Sequence, residues 1–170
     1  MAESKSFDLA ASPGQLLHRA QQFASEQFST ATGGVEITQR QFALLSALSE
    51  EDGQTQTALV QRTGIDRSTL AELVSRMATK GLVSRERAPG DARANAVKLT
   101  DEGKALYATA IAGAAAADEA ILSALPKNKR ANFVEALMRI SRALDPEADP
   151  KDKKSKKDGK DKKKKKKKKK

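Results

Sequence analysis

The sequence predicts a mainly α-helical chain interrupted by one two-strand β-hairpin. Three observations point there. Apolar residues recur at helical spacing in most segments between residues 12 and 144. The period shifts to alternation over residues 82–87 and 96–99. Aromatic residues make up only 4% of the chain while alanine is abundant, a composition that favours helices over sheets.

The elements follow in order. Ser12 with Pro13 is an N-cap followed by proline at the first helical position, opening a helix to about Thr30. On a helical wheel Leu16, Leu17, Ala20, Phe23, Ala24 and Phe28 share one arc, with His18, Gln22 and Ser25 opposite. Thr32-Gly33-Gly34 stops it. Thr38 caps a second helix to about Glu50, with Phe42, Ala43, Leu45 and Leu48 as its apolar face and Glu51-Asp52-Gly53 as its end. A short third helix spans about Thr55 to Arg62, and Gly64 is the turn after it. Asp66 caps a fourth helix to Lys80, terminated by Gly81. The two short strands then flank a loop, residues 88–95, rich in turn formers and charge. Thr100 starts a long helix, about 101–124, whose density of Ala and Gly lets a neighbouring helix approach closely. Pro126 opens a last helix to about Leu144, with Phe133, Leu137, Ile140 and Leu144 as its stripe, and Asp145-Pro146 ends it.

Charge is unevenly placed. The 170 residues carry a formal charge of +10, yet residues 151–170 alone hold 15 Lys and 3 Asp. The remaining body is close to neutral, and within it only residues 62–104 are net basic. The lysine-rich end has no apolar group with which to fold and is expected to be disordered. The absence of Cys excludes disulfides, thiolate metal sites and cysteine redox chemistry. One His, no Gly-rich phosphate loop and no Ser/His/Asp arrangement argue against an enzyme, and no cofactor is expected. The amino-terminal residues lack the apolar core of a signal peptide, and no apolar run approaches the ~18 residues of a membrane span. The expectation is a cytoplasmic protein without a membrane partner.

Helix, short helix, turn, helix, hairpin is the order of a winged helix-turn-helix with a two-strand β-hairpin wing. The fourth helix carries Leu70, Leu73, Val74 and Met77 on one side. Arg67, Ser68, Thr69, Glu72, Ser75, Arg76 and Thr79 lie on the other, a surface able to meet base edges and phosphates in a major groove. An ordinary solvated helix face reads the same way. The hairpin adds Arg85, Arg87, Arg93 and Lys98 on or beside its loop, where an arginine can reach an adjacent minor groove. A plain surface turn with scattered charges is the alternative.

Several stretches, in this order and spacing, resemble the MarR family of winged-helix transcription regulators. They are Ile37-Thr38-Gln39-Arg40-Gln41-Phe42-Ala43-Leu44-Leu45, Thr63-Gly64-Ile65-Asp66-Arg67-Ser68-Thr69-Leu70, Leu73-Val74-Ser75-Arg76-Met77 and Lys80-Gly81-Leu82-Val83-Ser84-Arg85. Asp91-x-Arg93 followed by Leu99-Thr100-Asp101-Glu102-Gly103 resembles the family's wing signature. The resemblance implies a homodimer with a shared helical base, each protomer offering one winged helix to double-stranded DNA at a palindromic operator. It implies a repressor released by a small-molecule effector, an anionic aromatic compound or an aromatic acyl-CoA. Ser68, Thr69 and Arg76 match recognition-helix positions, Arg93 the wing-tip arginine, and Asp91 the acid that holds the wing through a nearby arginine. The first helix lacks the cysteine of the hydroperoxide-sensing branch, and the lysine tail lies outside the family pattern.

On this reading residues 1–11 are a flexible leader, 12–36 a dimerisation helix, 37–100 the DNA-binding lobe, 101–146 dimerisation helices and 147–170 the tail. In the family the effector lies between lobe and base. Arg40 in the first turn of the second helix opposes the helix dipole, which suits a nearby anion; a surface arginine or an ion pair with Glu36 is the alternative. Arg19 flanks the apolar arc beside Phe23, placed equally for a ligand or a salt bridge. His18 and Gln22 complete the candidate effector set, although His18 also suits solvent or a dimer interface. A competing reading is an architectural, non-specific DNA binder driven by the polylysine tail; the near-neutral body argues against it.

Overall fold

The computed structural model describes residues 7–88 and 91–143 and, at 87, 88 and 91–95, the backbone alone. Six helices and three strands follow in the order α1 (Pro13–Ala31), α2 (Gln39–Glu50), β1 (Gln54–Thr55), α3 (Gln56–Thr63), α4 (Arg67–Thr79), β2 (Val83–Ala88), β3 (Asp91–Leu99), α5 (Asp101–Ser123) and α6 (Lys127–Arg142). The chain divides into two units, residues 1–127 and 128–170.

The side-chain caps of α2, α4 and α5 form at Thr38, Asp66 and Thr100, whereas Ser12 occupies the N-cap position of α1 without a side-chain capping bond. Thr38 and Gln41 make a reciprocal capping box at α2, the Gln41 N–H donating to the Thr38 hydroxyl at 3.3 Å and the Thr38 N–H to Gln41 Oε1 at 2.8 Å. Gly64 ends α3 in the left-handed region, φ 67°, where a side chain would be strained. The wing is longer than the alternating pattern indicated. β3 begins at Asp91 and pairs antiparallel with β2 from Val83↔Leu99 to Arg87↔Asn95, with an irregularity at Arg87/Ala88. Turn formers such as Asp91 and Asn95 favour a loop there, but strand pairing overrides that local preference at Ala88 and over 91–95. A third, two-residue strand was not foreseen: β1 pairs with β3 through Gln54↔Val97 and Thr55↔Ala96, giving the order β1-β3-β2. Gln54 is buried, and its Nε2 donates to the Ala47 and Glu51 carbonyls at 2.6 and 2.8 Å, satisfying the last turn of α2.

The core of the first unit joins Leu44, Leu45 and Leu48 of α2, Leu59 of α3, Leu70, Leu73, Val74 and Met77 of α4, and Val83 and Val97 of the sheet. Each such side chain is worth roughly 1.5–3 kcal/mol against exposure, so the polar face of α4 is held outward by its opposite side. α5 lies along α1, as its small residues predicted. A Cβ on Gly113 would sit 2.7 Å from the Ala31 carbonyl oxygen, so the two backbones touch there. α5 also corrects the sequence reading on apolar runs: it is long and apolar enough to cross a bilayer by length and composition. Its charged residues sit near the ends, which hides it from a search for uninterrupted runs. Ala110, Ala114 and Ala117 are instead buried against the protein.

Two apolar stripes stay open. On α1 only Phe28 of the predicted arc is buried, while Leu16, Leu17 and Phe23 are exposed. In the second unit α6 buries no residue, with Val134, Leu137, Met138 and Ile140 exposed. The remainder of the leader, residues 1–6, Leu144 and the tail lie outside the described residues.

Candidate nucleic-acid interface

The polar face of α4 begins with its cap. Asp66 Oδ1 accepts the Thr69 N–H at 3.0 Å and the Ser68 hydroxyl at 2.6 Å. These donors, the Ser68 hydroxyl foremost and Thr69 next, hold the Asp66 carboxyl far below the ordinary aspartate range, so it is ionised at every working pH. Arg67, Ser68, Glu72, Ser75, Arg76 and Thr79 are exposed and Thr69 is half-buried. The sequence-predicted face is therefore a continuous polar surface opposite Leu70, Leu73, Val74 and Met77.

Its members differ in freedom. Arg67 reaches back to α3, its Nη2 donating to Thr57 Oγ1 at 3.4 Å. Thr79 returns its hydroxyl to the Ser75 carbonyl at 3.1 Å. Among the described residues Glu72 and Arg76 carry no ion pair. A guanidinium without a carboxylate partner keeps all its donors for an incoming acceptor.

The wing residues are tied more closely than their sequence positions indicated. Arg85 Nη2 donates to the Ala71 carbonyl at 3.3 Å, joining β2 to the middle of α4. Lys98 forms an ion pair with Glu86 at 2.7 Å, and that carboxylate raises the Lys98 pKa above the ordinary lysine value. Much of its charge is thus compensated within the sheet. The side chains of Arg87, Asp91 and Arg93 lie outside the described residues.

The base of the lobe is bolted to α5 by Thr100 and Gly103, the end of the wing signature read in the sequence. The Thr100 hydroxyl accepts the Gly103 N–H at 3.0 Å and donates to the Gly81 carbonyl at 2.6 Å. The Thr100 N–H donates to the Leu82 carbonyl at 3.3 Å. A Cβ on Gly103 would lie 2.0 Å from that same carbonyl oxygen.

Of the candidate effector residues, His18, Arg19, Gln22 and Arg40 are all exposed, and no hydrogen bond or ion pair joins them to one another. α1 and α2 are instead linked by Gln21 Nε2 donating to Gln39 Oε1 at 3.3 Å. What the structure does assemble is an aromatic row. The Phe28 and Phe42 rings stand 5.7 Å apart, the Phe42 and Tyr107 rings 5.4 Å apart, and Tyr107 Oη lies 3.4 Å from Ser46 Oγ. Tyr107 and Ser46 were not identified from sequence, because they come from helices whose contact no local pattern announces.

Comparison with known proteins places this architecture. The MarR family profile matches residues 35–94, from the end of the α1–α2 connection into the wing. The transcriptional regulator HosA of Escherichia coli O111:H- is 33% identical over 108 residues, 64% of this chain and 80% of HosA. The PcaV transcriptional regulator of Streptomyces coelicolor, solved with its natural ligand, superposes with a TM-score of 0.75 at 35% identity, covering 85% of this chain and all of PcaV. BpsR of Bordetella bronchiseptica, whose DNA binding is regulated by 6-hydroxynicotinic acid, superposes with a TM-score of 0.75 at 26% identity over 84% of this chain and 99% of BpsR.

Proposed function

Because the chain belongs to the MarR family of transcription regulators, we propose that it acts as a homodimeric repressor of a palindromic operator, released by a small anionic aromatic ligand or an aromatic acyl-CoA. Each protomer lays α4 in a major groove, with half-sites about 34–36 Å apart, one helical turn. The observation that carries this reading is the outward polar face of α4, with Ser68, Thr69, Ser75 and Arg76, the last without an ion pair among the described residues, opposite four buried apolar side chains. Arg76 supplies base or phosphate contacts, and Arg93 follows the wing toward the neighbouring minor groove.

Effector release is supported by the aromatic row of Phe28, Phe42 and Tyr107, drawn from α1, α2 and α5 beneath the lobe. A planar ring can stack there while Arg19 or Arg40 meets its carboxylate. That PcaV was solved with its natural ligand and that BpsR answers to 6-hydroxynicotinic acid support the same class.

The test is selection of binding sites from a random duplex library, followed by anisotropy titration with and without 6-hydroxynicotinic acid and other aromatic carboxylates. The expected result is an enriched palindrome whose complex at least one of these acids dissociates. A protein that binds all duplexes equally at every salt concentration would overturn the operator. A complex indifferent to the whole panel and to aromatic acyl-CoA thioesters would overturn the effector class.

A further inference from the structure

Ser68 stands in the first turn of α4 with an unusual hydrogen-bonding balance. A serine hydroxyl has one proton and two lone pairs. Here the proton goes to Asp66 Oδ1 at 2.6 Å. The direction is fixed, because an ionised carboxylate has no proton to give in return. The bond is also local and needs no partner from outside the helix start, so it is in place before any nucleic acid arrives. Towards an incoming ligand Ser68 therefore presents lone pairs only.

We infer that Ser68 is a specificity-determining residue that accepts a hydrogen bond from an exocyclic amino group of a base, selecting adenine or cytosine over guanine and thymine at one position of each half-site. This rests on α4 being the helix that enters the major groove. In that groove adenine offers N6–H2 and cytosine N4–H2 as donors, whereas guanine O6 and thymine O4 are acceptors. Two acceptors facing each other across a desolvated contact leave both unsatisfied, so the keto bases are rejected. The backbone phosphates are rejected for the same reason, since they offer only acceptor oxygens, and the Asp66 carboxylate beside Ser68 repels them. A free serine hydroxyl would discriminate in neither way, because it turns to donate or accept as required. Asp66 thus acts through Ser68 as a positioning residue: it caps the helix through Thr69 and sets the polarity of its neighbour.

The experiment is site selection and quantitative titration of the full-length protein, its Ser68→Ala and Ser68→Thr variants, and Asp66→Gly. Glycine is chosen because it is tolerated at an N-cap while removing the acceptor. Melting curves confirm that each variant folds. The parent should show one position per half-site where A and C together outrank G and T by roughly three- to tenfold, the range of one hydrogen bond. Ser68→Ala should erase that grouping and leave the other positions intact; Ser68→Thr should keep it. Asp66→Gly should admit G and T at the same position, because the hydroxyl proton is free again. A uniform loss across all sequences in Ser68→Ala would overturn the inference in favour of a phosphate contact. Loss of a preference for G or T, or no change, would overturn it equally. A parent without any sequence preference would overturn the operator reading itself, and this inference with it.

Discussion

Asp66 shows how one residue links sequence, stability and surface chemistry. Its place before Arg67-Ser68-Thr69 marks it as a cap from sequence alone, but its second role appears only when Ser68 folds back onto it. Because the native state holds its pKa below the ordinary value of about 4, the unfolded chain takes up the proton first as acid is added. The stabilisation is therefore complete above about pH 5 and is lost progressively as pH falls below it through the acid range. Asp66→Asn keeps a capping acceptor and has no such titration. Urea midpoints of the two proteins are expected to converge as pH is lowered from 6 towards 2, since every other carboxylate titrates alike in both. A gap that stays constant would show that Asp66 is not held ionised by its neighbours.

At the scale of elements, the two glycines of α5 make opposite predictions from propensity and from packing. Alanine in a helix interior is better than glycine by about 1 kcal/mol. Yet a Cβ on Gly103 would stand 2.0 Å from the Leu82 carbonyl oxygen, and on Gly113 2.7 Å from that of Ala31. Neither carbonyl can step aside cheaply, since Leu82's accepts the Thr100 N–H and Ala31's ends α1 against α5. Gly103→Ala is expected to cost about 2–3 kcal/mol by urea denaturation despite its favourable propensity. Gly14→Ala, where nothing lies nearer than Ser12 Oγ at 4.0 Å, should gain about 0.5–1 kcal/mol. An equal gain in both would mean that α5 and the lobe are not in contact at Leu82. The same contrast explains what was legible beforehand. Caps, helix lengths and the buried side of α4 follow from local pattern, and they came out within a residue or two of the sequence reading. β1, the Gln54 side chain under α2 and the aromatic row through Tyr107 did not, because each depends on a partner from another element. The candidate interface was readable for α4 because one helix carries it. For Lys98 and Arg85 it was misleading on freedom, since sequence gives their charge and not Glu86 or Ala71 beside them.

At the scale of the whole molecule, the open stripes ask for company. Leu16, Leu17 and Phe23 are 48%, 42% and 39% exposed, and Ile111 of α5 is 47% exposed. Exposed apolar surface of this kind suits an interface with a second copy of the chain. Light scattering at micromolar concentration is expected to give a dimer, and Leu17→Glu combined with Phe23→Glu a folded monomer; a parent that is itself monomeric would refute the shared base. The lysine-rich end makes a separate prediction. Residues 151–170, with 15 Lys and 3 Asp, are expected to supply an electrostatic contribution blind to sequence. If about five phosphates are engaged, truncation after Pro150 should flatten the slope of log K against log salt by roughly 4–5 units. Operator and random duplexes should lose affinity in step, leaving their ratio nearly constant. Slopes that do not change would make this end a bystander, and a collapsed ratio would move specificity away from the winged helix.

The bolt at Thr100 has a mechanical consequence. The loop after α4 and the first turn of α5 share hydrogen bonds and a backbone contact too tight for any side chain, so they are joined as one piece. α5 has 23 residues and is therefore a lever about 35 Å long. Tilting such an arm by about 5° at that joint swings its far end, at Ser123, by about 3 Å. A small change of angle where the lobe meets α5 thus becomes a displacement of several ångströms at the opposite end of the helix, far from the joint that set it.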